Sequence, residues 1–149
     1  MVTLFDNFKF YKNGLPITYS GIILDKESHF RLLEEFIYAR PEFQGWRKYA
    51  HHMTICMGAL PEHLKRYWLG EKVDLTVTHF GYNDAAAAVK VAGFYVLTKT
   101  HNKEDEGPNF PHVTLAATNS PYESNNIDKW EEINKLFVIS GIIEEVKFF

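Results

Sequence analysis

The chain has 149 residues, about the length of one domain, and 46% of them are hydrophobic, enough to bury an independent core. It carries 16 Lys and Arg against 19 Asp and Glu, a formal net charge of −3, which argues against broad electrostatic binding of duplex nucleic acid. A single cysteine, Cys56, excludes an internal disulfide framework. The sequence therefore predicts a single domain, residues 1–149.

The N-terminal residues 1–10 mix aromatic and charged side chains and have no apolar run like that of a signal peptide. No stretch approaches the roughly 20 apolar residues that a membrane span needs. Because one cysteine also agrees with a reducing compartment, we expect a soluble, cytoplasmic protein that does not bind membranes. The oligomeric state is left open.

In chain order, the first structural signal is the β-rich run 17–24. Asp25 then begins a helix with apolar residues at helical spacing, which Pro41 ends. A strand over 53–57 follows, and then a short helix over 61–69. The first half of the chain thus has the order strand, helix, strand, helix.

The second half begins with a hairpin of strands 73–82 and 86–97. The polar segment 98–109 predicts a mobile loop, placed like a flap before a further strand that ends near Thr118. A helix and a final strand over 138–146 close the chain. The apolar face predicted for that helix consists of Ile127, Trp130, Ile133, Leu136 and Phe137. This order of elements fits an α+β fold with mainly antiparallel sheet.

The most informative motif is a tetrad that occurs twice, as His52-Met53-Thr54-Ile55 and as His112-Val113-Thr114-Leu115. In a strand, residues two apart share one face, so each His lies beside its Thr. One copy alone would indicate an ordinary strand histidine. Two copies allow two imidazoles and two hydroxyls to converge, with one His as general base and the other as general acid. This chemistry suits phosphodiester cleavage.

The paired motifs His52-x-Thr54 and His112-x-Thr114, about sixty residues apart in a small α+β chain, resemble the 2H phosphoesterase superfamily. The resemblance covers most of the chain. It implies a bilobal fold with flanking helices, one motif in each lobe and a central cleft. It also implies metal-independent cleavage without a cofactor, in which the four motif residues are catalytic and the two Thr bind the phosphate.

Within that superfamily, the compact size, the segment 17–25 leading into a helix, and the run 110–115 look most like the phage anti-CBASS nucleases. That likeness implies hydrolysis of 3',5' linkages in cyclic di- or trinucleotides such as cyclic GMP-AMP to linear products, in the cytosol of an infected bacterium. The expected partner is a small cyclic oligonucleotide. Which His is the acid and which the base is left open.

Three side chains are candidates for substrate binding outside the motifs. Tyr11 and Trp68 could stack on bases, and Glu144 could accept a hydrogen bond from a base amino group. For the two aromatic residues ordinary packing explains the sequence as well, and Glu144 could simply be solvated. Cys56 follows Thr54 by two positions, so alternation would place its thiol on the catalytic face, where it could be a nucleophile.

Other functions remain compatible with the motifs. A 2',3'-cyclic phosphodiesterase that acts on RNA ends would carry the same tetrads. A module that binds a cyclic nucleotide without cleaving it, or a metal site built from His51, His52 and His112, is a further alternative. Both tetrads are intact and the chain has no Asp or Cys at recognised zinc-ligand spacing, which disfavours the binding module and the metal site.

Overall fold

A computed structural model describes residues 11–12, 15–97 and 110–147 of the chain. The strands are β1 (Tyr11–Lys12), β2 (Leu15–Leu24), β3 (Arg47–Lys48), β4 (His52–Met57), β5 (Lys72–Tyr82), β6 (Ala86–Ala92), β7 (His112–Ala117), β8 (Trp130–Glu132) and β9 (Val138–Lys147). The helical segments are α1 (Lys26–Leu33), a π-helical turn (Glu34–Tyr38), α2 (Glu62–Trp68) and 3-10 helices at Pro41–Phe43 and Pro121–Asn126. The prediction of an α+β fold with mainly antiparallel strands is confirmed.

Six of these strands close into a barrel. β2 pairs with β4, β4 with β7, β7 with β6, β6 with β5, β5 with β9, and β9 returns to β2, each pair antiparallel. The alternate side chains of all six strands join one hydrophobic cluster, which includes Ile22, Met53, Leu75, Val89, Val113 and Ile139. The described strands belong to one hydrogen-bonded sheet, so the two halves that the resemblance implies are not separate sheets.

The helix predicted after Asp25 is confirmed. The Asp25 carboxylate accepts a hydrogen bond from the Ser28 amide at 2.8 Å, a standard N-cap. One side of the helix and its π-helical turn is buried in the core, through Leu32, Leu33, Phe36 and Ile37. Phe36 stacks on Phe80 of β5 with ring centroids 5.1 Å apart. In the described part of the chain, no helix is long and apolar enough to cross a bilayer.

The helix predicted over 127–137 is wrong. The structure has a 3-10 helix at Pro121–Asn126 and then the short strand β8, which pairs with β5. The reason lies in the edge of β5, where β9 covers only Lys72–Thr76. Backbone groups further along β5 would lack partners, and β8 pairs with them at residues 79–81. Demand for backbone hydrogen bonds therefore outweighs the helical spacing of the apolar residues.

The hairpin is confirmed, but its second strand is shorter than predicted. The Asn83 side chain accepts hydrogen bonds from the Ala85 and Ala86 amides at 2.8 Å and so fixes the turn. β6 ends at Ala92 because Gly93 adopts φ +124°, a conformation that ends the strand. The predicted flap over 98–109 lies outside the described residues.

Two adjacent glutamates on β9 offer a test of the packing. Glu145 is 5% exposed, and its carboxylate accepts a hydrogen bond from the Leu60 amide at 3.0 Å and lies 3.4 Å from Lys65 Nζ. We expect Glu145→Ala to lower the free energy of unfolding by about 2 kcal/mol, because a buried amide and a cation lose their acceptor. The exposed Glu144→Ala should change it by less than about 0.5 kcal/mol. Urea unfolding measures both, and equal effects would contradict the burial difference.

Candidate active site

The two tetrads lie side by side. Met53 of β4 pairs with Val113 of β7, and both side chains are fully buried in the core. In an antiparallel pair the numbering runs in opposite directions, so each motif His is placed beside the Thr of the other motif. The four half-buried motif residues share the opposite face of these strands: His52, Thr54, His112 and Thr114. The predicted convergence of the motifs is therefore present.

The backbone before the first motif decides which of two adjacent histidines enters this cluster. Ala50 adopts a left-handed φ of +60° and is fully buried, while its amide donates to the Thr114 carbonyl at 2.8 Å. The chain then places His51 on the exposed side, where its ring stacks on His29 with centroids 5.3 Å apart. His52, the residue that the motif spacing selects, joins the cluster.

His52 is held by an aromatic side chain that the sequence analysis missed. The ring of Tyr19, on β2, stacks on the imidazole with centroids 4.5 Å apart, and its hydroxyl lies 3.4 Å from Nδ1. Burial, with smaller contributions from charge repulsion by His51 and His112, lowers the pKa of His52 to about 4. Without a ligand, His52 is therefore neutral at pH 7.

His112 is held by the backbone instead. Its Nδ1 lies 3.2 Å from the Phe110 carbonyl oxygen, which can only accept, so Nδ1 carries the proton. Nε2 then lies on the side of Ser124, 3.5 Å from the hydroxyl oxygen. Burial lowers the pKa of His112, and the hydrogen bond to Phe110 opposes that effect. The two histidines thus differ in environment, with His52 the harder to protonate.

The two threonine hydroxyls also differ. Thr114 Oγ1 lies 2.8 Å from the hydroxyl of the buried Ser124, which itself donates to the Pro121 carbonyl at 2.8 Å. Within the described ranges, the Thr54 hydroxyl makes no hydrogen bond. Ser124 can approach because its 3-10 helix packs on β6 and β7, whose small side chains outside the hydrophobic cluster of the barrel are fully buried, namely Ala86, Ala88 and Ala117. Among the described residues, Thr114 therefore shares its hydroxyl with another side chain, whereas Thr54 does not.

The three predicted substrate-binding residues have different outcomes. Glu144 is exposed and lies in register with Gly21, and its charge contributes to raising the pKa of Tyr19, which places it beside the cluster. Trp68 contacts Phe94, with ring centroids 4.8 Å apart, so packing accounts for it. The side chain of Tyr11 lies outside the described part, although its backbone belongs to β1.

Tyr122 and Ser124, on the 3-10 helix after β7, were also missed by the sequence analysis. Tyr122 contributes to the raised pKa of Tyr19, after burial as the main cause, so the 3-10 helix borders the same cluster. No motif marks these residues, because their proximity depends on how the segment after β7 folds back. Only the alanine-rich stretch of β6 carries a signal, since small side chains on a sheet face allow another segment to pack closely.

Cys56 does not lie on the face of the motif residues. The pairing of β2 with β4 shifts by one residue between Ser20 and Gly21, which is a β-bulge at Ile55 of β4, and alternation fails beyond it. Cys56 is 6% exposed, joins the hydrophobic cluster, and its thiol lies 3.6 Å from the Ala59 carbonyl oxygen. The idea of a nucleophilic thiol on the catalytic face is therefore wrong.

Neither a protein-family model nor a characterised protein sequence matches the chain.

Among the described residues, no group of three or more His, Cys, Asp or Glu side chains is arranged to hold a metal ion. What the site offers is two imidazoles able to exchange protons and hydroxyls able to donate hydrogen bonds to an anion.

The lowered pKa of His52 makes stability depend on pH. Below the ordinary pKa of 6.5, His52 is protonated in the unfolded chain but stays neutral in the folded protein down to about pH 4. The contribution of neutral His52 to the free energy of unfolding is therefore complete above pH 6.5 and is lost as the pH falls toward 4. Between pH 7.5 and pH 5, we expect the free energy of unfolding to fall by about 2 kcal/mol less in a His52→Gln variant than in the wild type. Urea unfolding at both values measures this. Exposed His63→Gln is the control, and an equal loss in His52→Gln and wild type would contradict the burial of His52.

Proposed function

We propose that the protein is a metal-independent phosphodiesterase of the 2H type, which hydrolyses 3',5' linkages of cyclic di- or trinucleotides such as cyclic GMP-AMP. The observation that carries the proposal is the register of β4 and β7, which brings both His-x-Thr motifs to one face. We also propose a phage anti-CBASS role, a bilobal 2H fold and a location in the bacterial cytosol. These three proposals rest on the resemblance of the motifs to the 2H phosphoesterases.

The proposed reaction divides the two histidines by their environments. His52, which resists protonation, takes the proton from the attacking oxygen, a ribose 2'-hydroxyl or water, as the new oxygen–phosphorus bond forms. His112, whose protonated form the Phe110 carbonyl favours, gives a proton to the 5'-oxygen as the old bond breaks. After one turnover His52 is protonated and His112 is neutral. Proton exchange with solvent then returns His52 to the neutral form and His112 to the protonated form.

Charge on the phosphate is the second requirement of the reaction. The hydroxyl of Thr54 donates to one non-bridging oxygen. Thr114, whose single hydroxyl proton points to Ser124 in the absence of a ligand, turns that proton to the other non-bridging oxygen when the phosphate binds. Positioned donors of this kind are aimed at charge that grows in the transition state. An anionic phosphodiester beside the imidazoles also raises their pKa, which makes a protonated His112 attainable near neutral pH.

The direct test is a panel of substrates incubated in EDTA with products identified by mass spectrometry. It contains 3',3'-cyclic dinucleotides, cyclic trinucleotides, 2',3'-cyclic nucleotides and a short RNA that ends in a cyclic phosphate. Cleavage of cyclic oligonucleotides that is lost in the His52→Ala, His112→Ala double variant is the expected result. Activity confined to 2',3'-cyclic ends would move the protein to RNA processing. Activity seen only in a parallel incubation without EDTA would reject the metal-independent mechanism.

An activated leaving group distinguishes the two histidines. A nucleoside 3'-(4-nitrophenyl phosphate) releases a phenolate that needs no proton, so the general acid becomes dispensable. On a natural 3',5' linkage, we expect His52→Ala and His112→Ala each to lower kcat by about 100- to 10,000-fold. On the nitrophenyl ester, His112→Ala should recover most of its activity and His52→Ala should not. The opposite pattern would reverse the assigned roles.

The threonines provide a further test in turnover numbers. Removing one positioned donor costs about 100- to 1,000-fold in kcat where it acts on the transition state. We expect Thr54→Val to approach that loss, and Thr114→Val to match it while leaving KM nearly unchanged. Thr76→Val, a half-buried threonine on β5, is the control. If the two motif variants raised KM and kept kcat, the hydroxyls would bind the ground state only.

A further inference from the structure

Lys90, on β6, lies next to the motif cluster and takes no part in the reaction described above. It pairs with His112 in the register of β6 and β7, one position from the pair formed by Val89 and Val113. That neighbouring pair is fully buried in the core, so Lys90 and His112 share the opposite, outer face. The row of Thr54 and His112 on β4 and β7 therefore continues with a cation on the next strand.

Two aromatic rings hold the ammonium group of Lys90. Its Nζ lies 4.7 Å from the centroid of the Phe110 ring and 4.9 Å from that of Trp130, and these rings are nearly perpendicular, at 82°. Ring faces attract a cation, but they do not replace the oxygen acceptors that its three N–H donors require. Among the described residues, no carboxylate lies within 4.0 Å of Nζ. Within the described ranges, the two rings alone hold the ammonium, which leaves its N–H groups to donate to an anion.

The position of the ammonium suits an anion other than the one being cleaved. The Phe110 ring centroid lies 5.3 Å from that of His112, so Nζ is at most about 10 Å from the His112 ring. It lies between Phe110, which precedes β7, and Trp130 of β8, a strand on the far side of β6 from the motif strands. On the other side of the motif cluster lies Glu144, a negative charge near Tyr19. Glu144 and Lys90 therefore lie on opposite sides of the motif histidines.

We propose that Lys90, with Phe110 and Trp130, forms a second anion subsite that binds a phosphodiester one nucleotide away from the scissile phosphate. This inference rests on the proposed function and deepens it, because it requires a substrate with at least two phosphates. Cyclic dinucleotides and oligonucleotides meet that requirement, and 2',3'-cyclic mononucleotides do not. The adjacent rings give the base between the two phosphates a surface for stacking.

The test compares substrates that differ in phosphate number: a 3',3'-cyclic dinucleotide, a linear dinucleotide ending in a 2',3'-cyclic phosphate, and a 2',3'-cyclic mononucleotide. Lys90→Met keeps the side-chain stem and removes the charge, Lys90→Arg keeps the charge, and Lys26→Met, on an exposed turn of α1, is the matched control. Circular dichroism verifies the fold of each variant. The cyclic and linear arms show which kind of two-phosphate ligand the subsite accepts.

We expect Lys90→Met to lower kcat/KM for a two-phosphate substrate by about 10- to 100-fold, the cost of one lost charge-assisted hydrogen bond, mainly through KM. On the cyclic mononucleotide, the fold-decrease in kcat/KM caused by Lys90→Met should be at least about tenfold smaller. Lys90→Arg should retain most of the wild-type activity. Equal losses on all substrates would overturn the subsite and place Lys90 at the scissile phosphate. No loss on any substrate would overturn it as well.

Calorimetric binding of the cyclic dinucleotide to wild type and Lys90→Met separates this inference from the proposed reaction. Binding that weakens in Lys90→Met without any turnover by the wild type would support the subsite and reject the phosphodiesterase. Turnover by the wild type together with equal binding by both proteins would support the phosphodiesterase and reject the subsite.

Discussion

The arrangement of the site depends on the pairing of Met53 with Val113 at the centre of the barrel. Both side chains are fully buried, and a slip of one residue would expose them and bury the four polar motif residues. Burial of two apolar side chains thus fixes the register that places each motif His beside the Thr of the other motif. The force that stabilises the core also aligns the chemistry on the outside of the barrel.

The motif residues could be predicted from the sequence, because a His-x-Thr repeat in alternating strands determines the face that each residue occupies. The neighbours of the motifs could not. Tyr19 and Ser124 reach the histidines through the pairing of β2 with β4 and through the 3-10 helix after β7, and neither contact leaves a local pattern. Lys90 is also placed by strand register alone, which a single sequence does not reveal.

The fold shows the same division between local and long-range causes. The helix after Asp25 was predictable because its cap and its apolar spacing agree. The segment 127–137 was misread because its apolar residues have helical spacing, whereas the open edge of β5 recruits Trp130–Glu132 as a strand. The bulge in β4 moved Cys56 from the predicted face into the core. Both errors arose where a partner distant in sequence determined the local structure, whereas the early end of β6 at Gly93 has a local cause.

The most direct test of a shared phosphate site is an NMR titration of the imidazole signals of His52 and His112 with a hydrolysis-resistant phosphorothioate cyclic dinucleotide. Both signals should shift with one dissociation constant, and the pKa of each histidine should rise in the complex, because a bound anion stabilises the imidazolium. The signal of exposed His63 should stay unchanged. Signals that shift at different ligand concentrations, or a pKa that stays low in the complex, would contradict a single site built from both motifs.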